Sequence, residues 1–159
     1  VGGYVMKLRL DFKGYRFYIA LTHSGQVKGV NSKLPDGRHF LMWDFDAKEE
    51  KDVKEALLSI QKRFKLPRMY LLNTGLDGFY HAYCFKATSW PDTLKILAST
   101  ECLDPVFFKI GCIRGYFTLR FTPKGKRAFK QAIILPSPYN EDVDPHELSS
   151  FVTYWTKRM

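Results

Sequence analysis

Acidic side chains are costly to bury, so the aspartates Asp44 and Asp46, set in the apolar run HFLMWDFD, are the first residues that call for a chemical explanation. Two positions apart on a strand, their carboxylates leave on one face while Trp43 and Phe45 leave on the other. Carboxylates converging at a strand end repel each other unless something positive lies between them, and a divalent cation with oxygen ligands is the usual solution. The plainer alternative is a strand-end Asp that caps the next helix, with its neighbour simply exposed. A second group is Thr74-Gly75-Leu76-Asp77-Gly78-Phe79-Tyr80-His81. Its two glycines let backbone amides approach a phosphate closely, and His81, on the same face as Phe79, Tyr83 and Phe85, could donate to a phosphate oxygen. An ordinary hairpin with a core-edge histidine would look the same. The third group is Asp104 in Leu103-Asp104-Pro105, followed by the basic segment from Arg120 through Lys124 and Lys126 to Arg127. Cations spaced this way suit phosphate or template binding, because each one near a polynucleotide releases counterions. A solvated charged loop, with Asp104 as a turn or helix-end residue, is the alternative.

Positioning these groups requires a sheet. Residues 4–12 and 15–22 alternate apolar and polar positions around Lys13-Gly14, which predicts a hairpin. After the turn Pro35-Asp36-Gly37, residues 39–46 read as a central strand. Val53, Ala56, Leu57, Ile60 and Phe64 follow helical spacing over residues 49–64, and Pro67 closes that helix. Residues 68–74 and 79–87 read as two strands around the glycine loop, and Ser89 with Asp92 signals a helix over residues 90–99. Residues 106–110 and 116–121 read as further strands, and residues 127–135 are ambiguous. Asp144, Pro145 and Glu147, with a stripe of Leu148, Phe151, Val152 and Trp155, predict a last helix. The expected fold class is therefore α+β, a mostly antiparallel sheet with helices packed on it, in a single domain over residues 1–159.

Hydrophobic residues make up 45% of the 159 positions and aromatics 16%, enough for a packed interior and too rich for disorder. The formal charge of +9 favours polyanions such as DNA, RNA or an anionic membrane surface. No apolar run approaches the roughly 20 residues that cross a bilayer, and no signal-peptide pattern opens the chain, so an intracellular setting in cytoplasm or nucleoid, with no membrane partner, is expected. The chain begins with Val1 rather than methionine, which points to processing or to a fragment of a larger protein. Cys84, Cys102 and Cys112 lack CxxC spacing, so buried free thiols are expected and zinc is not.

In order, LMWDFD, TGLDGFYHAY and LDP resemble the three signature motifs of archaeo-eukaryotic primases and primase-polymerases, and the Arg120 segment resembles the arginine-bearing strand that follows the third motif. The resemblance spans residues 40–126. It implies a primase-type palm, similar to an RNA-recognition fold, that extends or synthesises primers in DNA replication by two-metal nucleotidyl transfer. Carried over, Asp44, Asp46 and Asp104 would be the catalytic carboxylates holding two magnesium or manganese ions. His81, with Thr74, Gly75 and Gly78, would contact the incoming triphosphate, and Arg120 and Lys124 would steady its phosphates. Tyr80 and Tyr83 would be candidates for stacking on a base or sugar. Implied partners are a DNA or RNA template, nucleoside triphosphates, and a helicase or accessory primase domain or subunit. The chain departs from the family in carrying no zinc knuckle and in having Leu76-Asp77 where relatives often place serine or glycine.

Two other readings stay open. A non-catalytic module of the same fold would bind single-stranded nucleic acid through charge and aromatics, without a divalent ion. A replication initiator that nicks DNA through a tyrosine would need two histidines separated by one hydrophobic residue, and His81-Ala82-Tyr83 stops short of that. GxxxxGK, GxGxxG and GxSxG are all missing, which disfavours the nucleotide-binding and hydrolase classes that depend on them.

Overall fold

Alternating apolar and polar residues at the start of the chain do form a hairpin. In the computed structural model, which describes residues 6–12, 15–21, 24–121, 128–130, 132–148 and 150–157, strands β1 (Met6–Phe12) and β2 (Tyr15–Leu21) pair antiparallel with Phe12 opposite Tyr15. The remaining strands are β3 (Ser24–Asn31), β4 (His39–Phe45), β5 (Met69–Asn73), β6 (Tyr80–Thr88), β7 (Thr118–Arg120), β8 (Ile133–Leu135) and β9 (Phe151–Lys157). They make two antiparallel sheets, ordered β7-β3-β9 and β4-β6-β5-β8. With helices α1 (Glu50–Phe64), α2 (Trp90–Ala98) and α3 (Pro105–Arg114), the fold is α+β, as the pattern of elements predicts. No helix among the described residues is long and apolar enough to cross a membrane.

The two faces of β4 do different work. Leu41, Trp43 and Phe45 are fully buried in one cluster with Val53, Leu57 and Ile60 of α1 and Ile96 and Leu97 of α2. Removing each such side chain from water contributes about 1.5–3 kcal/mol. The Trp43 indole donates to Thr100 Oγ1 at 2.9 Å, which fixes the end of α2 against the sheet. Ser89 starts α2 by accepting from the Asp92 amide, as its spacing predicts. The opposite face of β4 carries Asp44, directly across from His81 of β6.

Four expectations are corrected. Residues 106–110 are not a strand but part of α3, because Asp104 accepts from the amides of Val106 and Phe107, Pro105 fills the first turn, and Gly115 ends the helix at φ 74°. The run VFFKIGCI is apolar at nearly every position, so it shows no period of either kind. Conversely, the last helix is only a 3-10 turn, Pro145–Glu147, capped by Asp144. The chain extends again at Leu148 and runs into β9, which pairs along the length of β3. β4 is an edge strand rather than a central one. Lastly, Cys84 is buried, but Cys102 is half-buried and Cys112 exposed.

Two glycines are required by close approach. A Cβ on Gly29 of β3 would lie 2.7 Å from the Leu119 carbonyl oxygen of β7. One on Gly111 would lie 2.1 Å from the Phe117 ring, which is buried under α3 beside Phe107 and Trp90, with centroids 5.0 and 5.4 Å away. Gly111→Ala is therefore expected to destabilise the fold by about 1–3 kcal/mol through overpacking. Equilibrium urea unfolding checks this, and an unchanged midpoint would mean that α3 does not pack on Phe117 as described.

Candidate active site

β4 gives one edge to β6, and among the described residues no strand pairs along the other. Two backbone bonds occupy that free edge: the Phe40 amide donates to the Ser32 carbonyl at 3.0 Å, and the Asp104 amide donates to the Asp44 carbonyl at 2.9 Å. The second bond brings a residue sixty positions downstream beside the acidic pair. Because the Asp44 carbonyl points away from β6, Asp44 and His81 form a non-hydrogen-bonded pair, the closer of the two kinds in an antiparallel ladder. Their side chains meet with His81 Nε2 3.6 Å from Asp44 Oδ1. That is too long for a hydrogen bond.

Crowding decides the charge states. Burial, then the neighbouring Asp46 and Asp104 carboxylates, push Asp44 up to about 7, with Arg120 opposing. Burial and the Arg120 guanidinium push His81 down to about 3, opposed by the Arg120 backbone carbonyl. His81 is thus a neutral imidazole at physiological pH and makes no ion pair with Asp44. Its Nδ1 is buried with no hydrogen-bond partner among the described residues, in a side chain only 4% exposed. An unsatisfied buried ring nitrogen is expensive, and a ligand that supplies its partner is the simplest reason to keep one.

Asp44, Asp46, Thr74, Leu76, Phe79, His81 and Arg120 line one cavity of about 270 Å³. Gly75 and Gly78 shape its loop by taking φ of 86° and 82°, where a side chain would be strained. The Gly75 amide is used by Asn73 Oδ1 at 2.9 Å, and the Gly78 carbonyl accepts from the Lys48 amide at 3.0 Å, which docks the loop on the chain leaving β4. Thr74 Oγ1 donates to the Phe79 carbonyl at 3.3 Å. The Asp77 carboxylate lies 3.2 Å from Lys130 Nζ, an exposed ion pair between the glycine loop and the segment 128–130. In that segment Phe129 stands 5.9 Å from the His81 ring and 5.9 Å from the Arg120 guanidinium.

Asp104 is brought close, but its role differs from that of the pair. Both its carboxylate oxygens accept from the first turn of α3, at 3.3 and 2.7 Å. It lines a second cleft, about 220 Å³, together with Asp44, Phe107, Ile110, Arg114 and Tyr116. Among the described residues no three His, Cys, Asp or Glu side chains are gathered closely enough to hold one ion. The donors that fit an oxygen-ligated divalent cation are therefore Asp44 and Asp46, whose mutual repulsion a cation would relieve, with Asp104 adding to the negative field. Lys124 lies outside the described residues. Tyr80 is buried on the face opposite His81 and cannot stack on a ligand here, whereas Tyr83 is half-buried on the His81 face. Phe129, Arg114 and Tyr116 had no sequence signal, since no motif contains them.

Protonated Asp44 favours folding, so its contribution is full below the ordinary value of 3.8 and is lost as pH rises through about 7. Asp44→Asn is therefore expected to be more stable than the parent without divalent ions, by a margin that grows between pH 4 and 7 to at most about 4 kcal/mol. Urea unfolding at pH 4.5 and pH 8 with a chelator present measures the margin; if it is the same at both, Asp44 is not desolvated as described.

No family model, curated protein or solved structure matches this chain, so its chemistry has to be read from its own residues.

Proposed function

We propose that the chain is a metal-dependent nucleotidyltransferase of the archaeo-eukaryotic primase type, a primase or primase-polymerase that extends or synthesises primers on a nucleic-acid template. One observation carries the reading: residues from three separate segments, Asp44 with Asp46, His81, and Arg120, line one cavity, which brings carboxylates, a guanidinium and an imidazole together. That is the combination a nucleoside triphosphate with its cations would need. The order of the sequence motifs supports the same conclusion independently.

In this reading Asp44 and Asp46 would hold the magnesium or manganese ions, which when bound would activate the attacking hydroxyl and neutralise charge on the departing pyrophosphate. The chain's own residues then do the positioning. The Arg120 guanidinium steadies the phosphates, and because neutral His81 gives its one N–H to the Arg120 carbonyl, its Nδ1 is left to accept from a donor group of the bound nucleotide. Because His81 stays neutral, it adds no cation to those already in the cavity. Thr74, Leu76 and Phe79 wall the far side. The 3′-oxygen of the growing strand bonds to the α-phosphorus, the bond from that phosphorus to the bridging oxygen breaks, pyrophosphate leaves with the electron pair, and the hydroxyl proton passes to solvent.

A second reading, a binding module without catalysis, is favoured by one feature: both Asp104 oxygens already cap α3 instead of facing a metal. It predicts salt-sensitive binding to single strands that needs no divalent ion. Primer extension with manganese and radiolabelled nucleotides separates the two. The enzyme reading expects Asp44→Ala and Asp46→Ala each to lower extension on the order of 10²–10³-fold, with Arg120→Ala raising the KM for nucleotide. Extension by Asp44→Ala at the parent rate would remove Asp44 from the chemistry.

A further inference from the structure

Asp44 lines both cavities, and the other residues divide between them. Asp46, His81 and Arg120 face only the first, while Asp104, Ile110, Arg114 and Tyr116 face only the second. A group-transfer site needs two substrate places that meet at the reacting atoms, and here two clefts meet at one carboxylate. We infer that the second cleft, between α3 and the end of β4, holds the 3′-terminal nucleotide of a polynucleotide strand, with Arg114 as its phosphate contact. This inference rests on the nucleotidyl-transfer reading of Asp44 and Asp46.

The chemistry of the walls fits such an occupant and no acidic small molecule as well. One wall is apolar: Val106 and Ile110 line the cleft, and α3 continues outward through Ile113, the three being 59%, 41% and 85% exposed. Apolar side chains left uncovered beside a charged cleft suit the flat face of a sugar or base. The other wall is polar and cationic. Arg114 stands at the end of α3, and no described residue gives its guanidinium a hydrogen-bond or ion-pair partner. Lys33 Nζ lies 5.1 Å from the centroid of the Tyr116 ring and brings a second positive charge to the rim. Gly111 also lines the cleft, and its lack of a Cβ lets the buried Phe117 ring lie directly under the helix there. A phosphodiester at Arg114 would leave the terminal sugar inward, toward Asp104 and Asp44. The 3′-hydroxyl would then point at the carboxylate shared with the triphosphate cavity.

The test measures two affinities separately. Fluorescence anisotropy with end-labelled single-stranded DNA and RNA oligonucleotides carrying a free 3′-hydroxyl reads the strand place, and manganese with a non-hydrolysable nucleoside triphosphate reads the other. Arg114→Ala is expected to weaken oligonucleotide binding about tenfold, and to lower the slope of log affinity against log salt by roughly 0.7 for the lost phosphate contact, with nucleotide affinity unchanged. Arg114→Lys should recover most of the loss, which a purely structural role for the guanidinium would not allow. Arg120→Ala should give the converse pattern, weakening nucleotide and sparing oligonucleotide. Whichever of the DNA and RNA arms responds to Arg114→Ala identifies the strand. Parental oligonucleotide affinity and salt slope in Arg114→Ala would overturn the cleft assignment while leaving the triphosphate cavity intact. Failure of the unaltered chain to bind manganese–nucleotide at all would overturn both.

Discussion

One backbone hydrogen bond on the free edge of β4, from the Asp104 amide to the Asp44 carbonyl, organises the rest of the site. It does what a neighbouring strand would otherwise do for that edge, and it anchors the start of α3 beside two other carboxylates. The cost appears at Asp44, whose carboxyl is desolvated and repelled by Asp46 and Asp104 until it holds its proton to about 7. That retained proton relieves the repulsion below neutrality, and a cation bound there would relieve it above. Arg120 offsets part of the repulsion, and it adds to burial, the larger cause, in keeping His81 from charging.

The sheet turns this local conflict into a directional site. Period-2 alternation sends Trp43 and Phe45 into the helices and Asp44 to the other side, so the same strand anchors the core and presents the acid. Since Trp43 is tied to Thr100 and Phe117 is pinned under Gly111, neither α2 nor α3 can shift without disturbing packed aromatic rings. Asp44 and Asp104 are therefore held at the ends of packed elements, whereas the loop from Thr74 to Phe79 and the segment 128–130 depend on turns and a surface ion pair.

What the sequence reveals follows from which physical signal each element carries. β5, β6, α1 and α2 are legible because their faces differ in polarity or because a cap and a proline mark their ends, and β4 because an apolar run follows a turn. α3 is illegible by periodicity, yet Asp104, Pro105 and Gly115 delimit it by the same cap logic that was applied to Asp144 and Pro145, where a turn of only three residues follows. β9 imitates a helix because Leu148, Phe151, Val152 and Trp155 fall at helical spacing by coincidence, while its pairing with β3 is a non-local fact that no local pattern reports. β3 was hidden by its glycines, one of which is there because β7 crosses within van der Waals contact. At the site, type and order pointed to Asp44, Asp46, Thr74, His81 and Arg120, which the fold brings around one cavity. The division of labour among them was not: that Asp104 caps a helix, that Asp77 pairs with Lys130 and that Phe129 bridges His81 and Arg120 are consequences of tertiary placement alone.

The most direct test of the central claim, that the crowded carboxylates of β4 are a cation site facing a triphosphate pocket, is a crystal grown with manganese and a non-hydrolysable nucleoside triphosphate. The account predicts an anomalous manganese peak roughly 2.1 Å from oxygens of both Asp44 and Asp46, with the triphosphate beside Arg120 in the cavity that His81 lines. Triphosphate density elsewhere, or a nucleotide bound there with no metal at Asp44, would contradict it.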